Sequence, residues 1–212
     1  MSLEARKLSC TRGERELFAD VSFEVNPGDA LRIVGTNGSG KTSMLRILCG
    51  LTPPVSGEVC WNGQNIKTLR EEFCSQLVYL GHANGVKDDL LAWENVAVSC
   101  NLSGAKISRE EAIKALEDLG LSGTVNLPAH VLSQGQRKRV ALARLRFAES
   151  APLWILDEPF AALDHQSIAE LCVTLNAHLK RGGMVVFTTH QEIELAAARM
   201  LRVELLTGED EC

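Results

Sequence analysis

The stretch GTNGSGKT at residues 35–42 combines three glycines with a lysine and a threonine at the spacing G-x-x-x-x-G-K-[ST]. Glycines allow successive backbone N–H groups to turn towards one anion. A lysine at this position adds positive charge near β- and γ-phosphates, and the threonine hydroxyl is a ligand for Mg²⁺. A mostly apolar run precedes the stretch and a helical pattern follows it, as this chemistry requires. We expect the phosphates of a nucleotide to be bound by Gly35, Asn37, Gly38, Ser39, Gly40, Lys41 and Thr42.

Acidic side chains follow a second apolar run, LWIL, where Asp157 and Glu158 stand next to each other. Ligands of open α/β sheets bind at the carboxyl ends of the strands. We therefore expect Asp157 to hold Mg²⁺ together with Thr42, and Glu158 to orient or deprotonate an attacking water. The run MVVFTT ends in the same way at His190, which we expect to contact the γ-phosphate from the same rim.

A third candidate is the turn at residues 133–136, SQGQ, which opens into a basic helix. The N-terminus of a helix is an anion site, so Ser133, Gly135 and Gln136 could receive a phosphate. Ser133 and Gln136 also fit a capping box that needs no ligand. The residues alone leave both interpretations open.

The elements that must position these residues alternate along the chain. The run ELFADVSFEV predicts a strand, GEVCWNGQNI predicts a hairpin, and SMLRILCGL predicts a helix with Met44, Leu45, Leu48 and Leu51 on one face. Residues 83–131 are mostly helical in pattern, whereas strands and helices alternate again after them, which predicts a parallel sheet with covered faces. We expect one domain over residues 1–212, with a helical lobe inserted at about 83–131.

Composition narrows the classes of function. The net charge of −5 argues against a surface built for nucleic-acid backbones, and the basic run RKR at 137–139 is predicted to be a solvated helix face. No apolar run reaches the length of a membrane span, and the N-terminus lacks the pattern of a signal peptide. The seven cysteines form no CxxC pair, which favours idle or buried thiols in a reducing cytoplasm.

Taken in order, the phosphate loop, LSQGQ, LWILDEP, the following ALD and the strand-terminal histidine resemble the ATP-binding cassette (ABC) ATPases over nearly the whole chain. The resemblance implies an α/β fold of the P-loop NTPase type: a mainly parallel sheet core, an N-terminal antiparallel β part and an inserted helical lobe. It implies ATP and Mg²⁺ as cofactors. It also implies a second copy of the chain as partner, because the turn with Ser133, Gly135 and Gln136 would bind the γ-phosphate held by the other copy. Asp164 would lie at that interface.

Two positions depart from the family pattern. The family usually carries a glutamine after the strand LVYLG, where this chain has His82. It usually stacks the adenine on an aromatic residue near the start of the domain, where this chain has Arg12. A guanidinium plane can also stack on a base, so Arg12 is the expected adenine contact.

Within the family, YLGHANGVKDDLLAWENV, WILDEPFAALD and TTHQ resemble the ATP-binding subunits of haem exporters in cytochrome c maturation. This implies a peripheral ATPase on the cytoplasmic face of the inner membrane. It would dock onto the integral membrane subunits of that complex through residues 82 to about 95, without direct contact to nucleic acid. The alternatives are a cassette of another small exporter or lipoprotein-release complex, a non-transport ABC ATPase acting on nucleic acid, and a nucleotide-binding regulator without turnover, against which Glu158 argues.

Overall fold

An antiparallel sheet forms from the N-terminal part of the chain in the computed structural model, which describes residues 1–205. Its strands are β1 (Leu3–Arg12), β2 (Arg15–Val25), β4 (Ser56–Trp61) and β5 (Gln64–Asn65), in the order β2-β1-β4-β5. Leu3, Ala5 and Leu8 are buried on one side of β1. This sheet is the antiparallel β part that the resemblance implied.

A parallel sheet of five strands forms the centre of the molecule. Its strands are β3 (Ala30–Val34), β6 (Leu77–Leu80), β7 (Leu153–Leu156), β8 (Met184–Thr188) and β9 (Met200–Glu204), in the order β6-β7-β8-β3-β9. All four pairings are parallel. Because β7 and β8 are buried along their whole length, both faces of the sheet must be covered, and the predicted fold class is confirmed.

Helices cover the two faces of the parallel sheet. On one face, α1 (Lys41–Leu48) buries Met44, Leu45 and Leu48 in a core shared with the antiparallel sheet and with α2 (Ile66–Leu69) and α3 (Glu71–Ser75). On the other face, α7 (His165–Lys180) packs Leu171, Leu175 and Leu179 into a second core. Both layers are apolar, so polar side chains of the central strands can reach a ligand only at the ends of the strands.

The stretch at 83–131 contains α4 (Ala92–Leu102), α5 (Arg109–Glu117) and a 3-10 turn (Ala129–Val131), followed by α6 (Gln134–Ala143) and a second 3-10 turn (Arg144–Phe147). These helices share a third apolar core that includes Val96, Leu116 and Val140. We propose that the elements within residues 83–131 form the inserted lobe and that α6 lies at its border with the parallel sheet. The last seven residues of the proposed domain, 206–212, lie outside the described part.

Cysteine side chains within residues 1–205 are free thiols, and only Cys74 among them is exposed. Cys212 lies outside the described residues. Within that same part of the chain, no helix combines the length and apolar character that crossing a bilayer requires.

His178 is a buried titratable group in the second core. Its ring stacks on Trp154 with a centroid distance of 3.8 Å and an angle of 11° between the planes. Nε2 of His178 is buried, and Nδ1 lies 3.4 Å from Nη2 of Arg181. Burial, assisted by the positive charge of Arg181, lowers the pKa of His178 to about 4. The imidazole is therefore neutral in the folded protein and takes up a proton more readily on unfolding.

We expect the His178→Phe variant, which keeps a stacking ring, to lose less stability in acid than the wild type. The pKa of His178 is lower in the folded protein than in the unfolded chain. The stability that this difference contributes is therefore fully present above the usual pKa of 6.5 and is lost as the pH falls towards 4. When the pH is lowered from 7 to 4.5, the thermal midpoint of the variant should fall by roughly 5 °C less than that of the wild type. Parallel pH profiles of the two proteins would contradict this assignment.

Candidate active site

A cavity of about 450 Å³ opens at the carboxyl edge of the parallel sheet. It brings together side chains from the antiparallel sheet, the loop before α1 and the ends of β6, β7 and β8. Most of the residues predicted from the sequence line this cavity: Arg12, Asn37, Gly38, Gly40, Lys41, Thr42, His82, Asp157, Glu158 and His190. Gly35 and Ser39 lie behind them in the loop, whereas Ser133, Gly135 and Gln136 do not line it.

The loop at 35–42 is held in a curled conformation by its glycines and its lysine. Gly35, Gly38 and Gly40 have φ angles of 154°, 84° and 99°, in the left-handed half of backbone space. A Cβ atom at Gly35 would lie 2.4 Å from Oγ of Ser39, so no larger residue fits there. Nζ of Lys41 donates to the carbonyl oxygens of Gly35 (2.8 Å) and Thr36 (3.0 Å) and so connects the end of the loop to its beginning.

The start of α1 faces this loop with free backbone N–H groups. Gly40 is the N-cap residue, and no side chain within residues 1–205 caps the helix. The first N–H groups of a helix have no intrahelical acceptor, and the helix dipole adds positive potential at that end. The buried Oγ of Ser39 also lacks a hydrogen-bond partner among the described residues. This arrangement provides the donors that phosphate oxygens require.

Asp157 lies immediately after β7 and is 2% exposed. Its Oδ2 accepts a hydrogen bond of 2.8 Å from Oγ1 of Thr42, and its Oδ1 accepts one of 2.8 Å from Oγ1 of Thr188. Burial and the negative charge of Asp157 raise the pKa of nearby Tyr79 to about 12. A hydroxyl oxygen and a carboxylate oxygen side by side are the hard ligands that Mg²⁺ prefers, so this donor set fits the metal.

Glu158 has an unusual backbone conformation and an unsatisfied carboxylate. Its φ angle is +47°, and its N–H donates to Oγ1 of Thr188 at 2.9 Å. Oε1 is buried and accepts no hydrogen bond within residues 1–205. Nε2 of His190 lies 3.5 Å from this oxygen, on a side chain that is 59% exposed. A buried carboxylate oxygen without a donor is suited to accept a proton from a water molecule in the cavity.

The side chains of Arg12 and His82, which depart from the family pattern, are exposed on the cavity wall. His82 also lines a neighbouring cavity of about 370 Å³, together with Glu158, Gln134 and Lys138. Both side chains are therefore free to meet a ligand at the mouth of the site. No hydrogen bond to either of them is formed by the described residues.

Lys138 is a site residue that sequence reasoning missed. The RKR run was predicted to be solvated, and this is wrong for its middle residue, because Lys138 is only 5% exposed. Nζ of Lys138 lies 3.5 Å from the backbone carbonyl oxygen of Asp157. Burial lowers the pKa of Lys138, whereas the charges of Asp157 and Glu158 act in the opposite direction. In the sequence, no local signal distinguishes Lys138 from its neighbours. In the structure, Arg137 pairs with Asp88, and Arg139 donates to the Leu119 carbonyl oxygen.

The turn at residues 133–136 forms the predicted capping box. Oγ of Ser133 accepts from the Gln136 N–H at 3.3 Å, and Oε1 of Gln136 accepts from the Ser133 N–H at 2.8 Å. Ser133 is nevertheless exposed. A Cβ atom at Gly135 would lie 2.6 Å from the carbonyl oxygen of Ala162, so the turn passes closely behind the segment that follows Glu158. Ser133, Gly135 and Gln136 thus lie outside the cavity of about 450 Å³, although Gln134 of the same turn lines the neighbouring cavity beside Glu158.

Comparisons with known proteins identify the family. The family described as ABC transporter matches residues 18–161. The "Cytochrome c biogenesis ATP-binding export protein CcmA" of Nitrosomonas europaea is 51% identical over 92% of this chain and 91% of its own length. The protein of the same name from Dechloromonas aromatica is 48% identical over 96% and 99%.

Solved structures show the same fold. A putative ABC transporter ATP-binding protein from Pyrococcus furiosus superposes with a TM-score of 0.81 at 24% identity, over 97% of this chain and 98% of that one. The ATP-binding cassette MJ0796, as a post-hydrolysis dimer bound to ADP and Pi, gives a TM-score of 0.79 at 25% identity over 96% of both chains.

Replacing Lys41 by alanine should weaken the binding of a nucleoside triphosphate by about 100-fold or more. The change removes the ammonium that crosses the loop and the charge available to the phosphates. A fluorescent ATP analogue titrated into the variant would measure the affinity. Lys67→Ala, which removes an exposed lysine from α2, is the matched control and should bind as the wild type does. Equal affinity in both variants would show that Lys41 does not contact the phosphates.

Proposed function

This chain belongs to the ABC transporter family of nucleotide-binding ATPases, and we propose that it is the ATP-hydrolysing subunit of a membrane complex that exports haem for cytochrome c biogenesis. The observation that carries the proposal is the identity of 44–51% to proteins named cytochrome c biogenesis ATP-binding export protein, across more than nine tenths of this chain. The complete set of candidate site residues supports catalytic turnover rather than nucleotide binding alone.

In the proposed complex, the loop at 35–42 holds the phosphates of ATP with its backbone N–H groups and with Lys41. Thr42 and Asp157 would hold Mg²⁺, which neutralises charge on the β- and γ-phosphates when it is bound. Arg12 stacks on the adenine, and His82 faces the γ-phosphate. The two hydroxyl groups that grip Asp157 keep its carboxylate in place for this role.

Hydrolysis then needs a base for the attacking water and a hydrogen-bond donor for the negative charge that develops on the γ-phosphate oxygens. Glu158 orients a water molecule and accepts its proton on Oε1 while the water oxygen forms a bond to the γ-phosphorus. The bond from that phosphorus to the β–γ bridging oxygen breaks, and ADP and phosphate are released. His190, 3.5 Å from Oε1 of Glu158, donates a hydrogen bond to a γ-phosphate oxygen.

A second copy of the chain completes each site. The exposed Ser133, with Gly135 and Gln136, contacts the γ-phosphate held by the partner, so that two copies sandwich two nucleotides head to tail. Asp164 lies at this interface. Its side chain caps α7 by accepting from the Ser167 N–H at 2.8 Å, which fixes the start of that helix next to the interface. The dimeric form of the structurally similar MJ0796 cassette supports the arrangement.

Integral membrane subunits are the remaining proposed partners. Residues 82 to about 95 lead from the site to α4 and would link nucleotide to those subunits on the cytoplasmic face of the inner membrane. Asn95 keeps this segment in shape, because its side chain is buried and bonds both the N–H and the carbonyl of Lys87. The net charge of −5 gives no support to a nucleic-acid partner.

Mixing two inactive variants tests the sandwich. Ser133→Arg should bind ATP but not hydrolyse it, and Lys41→Ala should fail to bind it. A mixed dimer contains one site with both motifs intact. Equal amounts that pair at random give mixed dimers in half of the population, so ATPase activity should recover to roughly a quarter of the wild-type rate. A mixture as inactive as its components would argue against shared sites.

Complementation tests the proposed cargo pathway. In a bacterium that lacks its own ATP-binding subunit for cytochrome c biogenesis, the wild-type chain should restore covalent haem on c-type cytochromes, and Glu158→Gln should reduce it more than 10-fold because the base is lost. Haem staining of membrane proteins measures the result, with b-type cytochromes as an internal control for haem supply. Glu149→Gln, at a side chain that is 73% exposed, is the matched control. A wild-type chain with ATPase activity that restores no c-type cytochrome would point to another cargo.

A further inference from the structure

We propose that Lys138 is a positioning residue for ATP hydrolysis, which holds the peptide group between Asp157 and Glu158 so that the Glu158 carboxylate points to the attacking water. The inference rests on the proposed ATPase function and adds a residue from α6 to the catalytic centre. It concerns the orientation of the base and not the binding of nucleotide.

The backbone of Glu158 requires support from its surroundings. Its φ angle of +47° lies in the left-handed region, which is unfavourable for a residue with a Cβ atom. Such conformations persist where neighbouring groups determine them. The direction of the Glu158 side chain depends on this backbone conformation, so whatever holds the preceding peptide group also aims the carboxylate.

That peptide group is held at both of its polar ends. Its N–H, on Glu158, donates to Oγ1 of Thr188 at 2.9 Å. Its carbonyl oxygen, on Asp157, lies 3.5 Å from Nζ of Lys138. The N–H and C=O bonds of a trans peptide point in opposite directions. Residues of β8 and α6 therefore contact the same peptide group from opposite sides. Removing either contact would allow the peptide group between Asp157 and Glu158 to rotate.

The burial of Lys138 indicates that its ammonium has a purpose beyond packing. A side chain of which only 5% is exposed removes a charged group from water at considerable cost. Within residues 1–205, no carboxylate oxygen lies at ion-pair distance from Nζ, and the carbonyl oxygen of Asp157 is its hydrogen-bond acceptor. The negative charges of Asp157 and Glu158 nearby offset part of the cost.

Lys138→Met tests the inference, because methionine keeps the length of the side chain and removes the donor. We expect kcat of ATP hydrolysis to fall about 30-fold, as a misplaced base would cause, with KM for ATP and the affinity for a fluorescent ATP analogue within threefold of the wild type. With ATP and Mg²⁺ the variant should accumulate a dimer on gel filtration, since it binds but does not hydrolyse. Lys138→Arg, which keeps a cationic donor, should recover kcat to within about fivefold of the wild type.

Lys180→Met, the same substitution at an exposed position in α7, is the matched control and should retain the wild-type kcat. If the thermal midpoint of Lys138→Met falls, Lys138→Gln serves instead, because its shorter amide should not reach the Asp157 carbonyl and kcat should fall as well. An unchanged kcat in the uncharged variants would overturn the inference. So would a parallel loss of ATP affinity, or an equal loss of kcat in Lys138→Arg. If the wild type itself shows no ATPase activity that depends on Glu158, the proposed function fails instead.

Discussion

The Asp157 carboxylate, gripped by two hydroxyl groups, joins the phosphate loop to the parallel sheet. Thr42 belongs to the first turn of α1, and Thr188 is the last residue of β8, so one side chain ties three elements together. The parallel register places Leu156 beside Phe187, and the next residues of both strands therefore emerge at the same edge. The positions of the loop, of Glu158 and of the strand-terminal His190 all depend on this junction.

The apolar character of the central strands decides where such a junction can exist. Both faces of the sheet are covered by apolar cores, and β7 and β8 are buried throughout. A carboxylate without hydrogen bonds would be costly at a site that is 2% exposed. Two donated hydrogen bonds satisfy Asp157, whereas Oε1 of Glu158 accepts no hydrogen bond from any residue that the structure describes. The Asp157 carboxylate is therefore fixed in place, and the Glu158 carboxylate is not.

Much of this arrangement could be predicted because its signals are local. The loop before α1 needs residues at fixed spacing, and polar residues directly after apolar strands indicate the ligand edge. Tertiary packing decided the rest. Leu51 is 57% exposed, although the helical pattern grouped it with Met44, because α1 ends at Leu48 and the chain turns at Gly50. Lys138 is buried between two arginines that are partly exposed, and tertiary packing determines which residue of a basic run turns inward.

The helix α6 connects two features that the sequence could not relate. Its N-terminus presents Ser133 to solvent, and Lys138 lies five residues later, about 7.5 Å along the helix axis. One continuous helix therefore links the exposed turn at Ser133 to the Asp157 carbonyl oxygen. The peptide group before Glu158, whose φ angle is +47°, contacts Lys138 of α6 on one side and Thr188 of β8 on the other. In the proposed dimer, α6 would therefore join the contact of Ser133 with the partner's nucleotide to the peptide group that precedes Glu158.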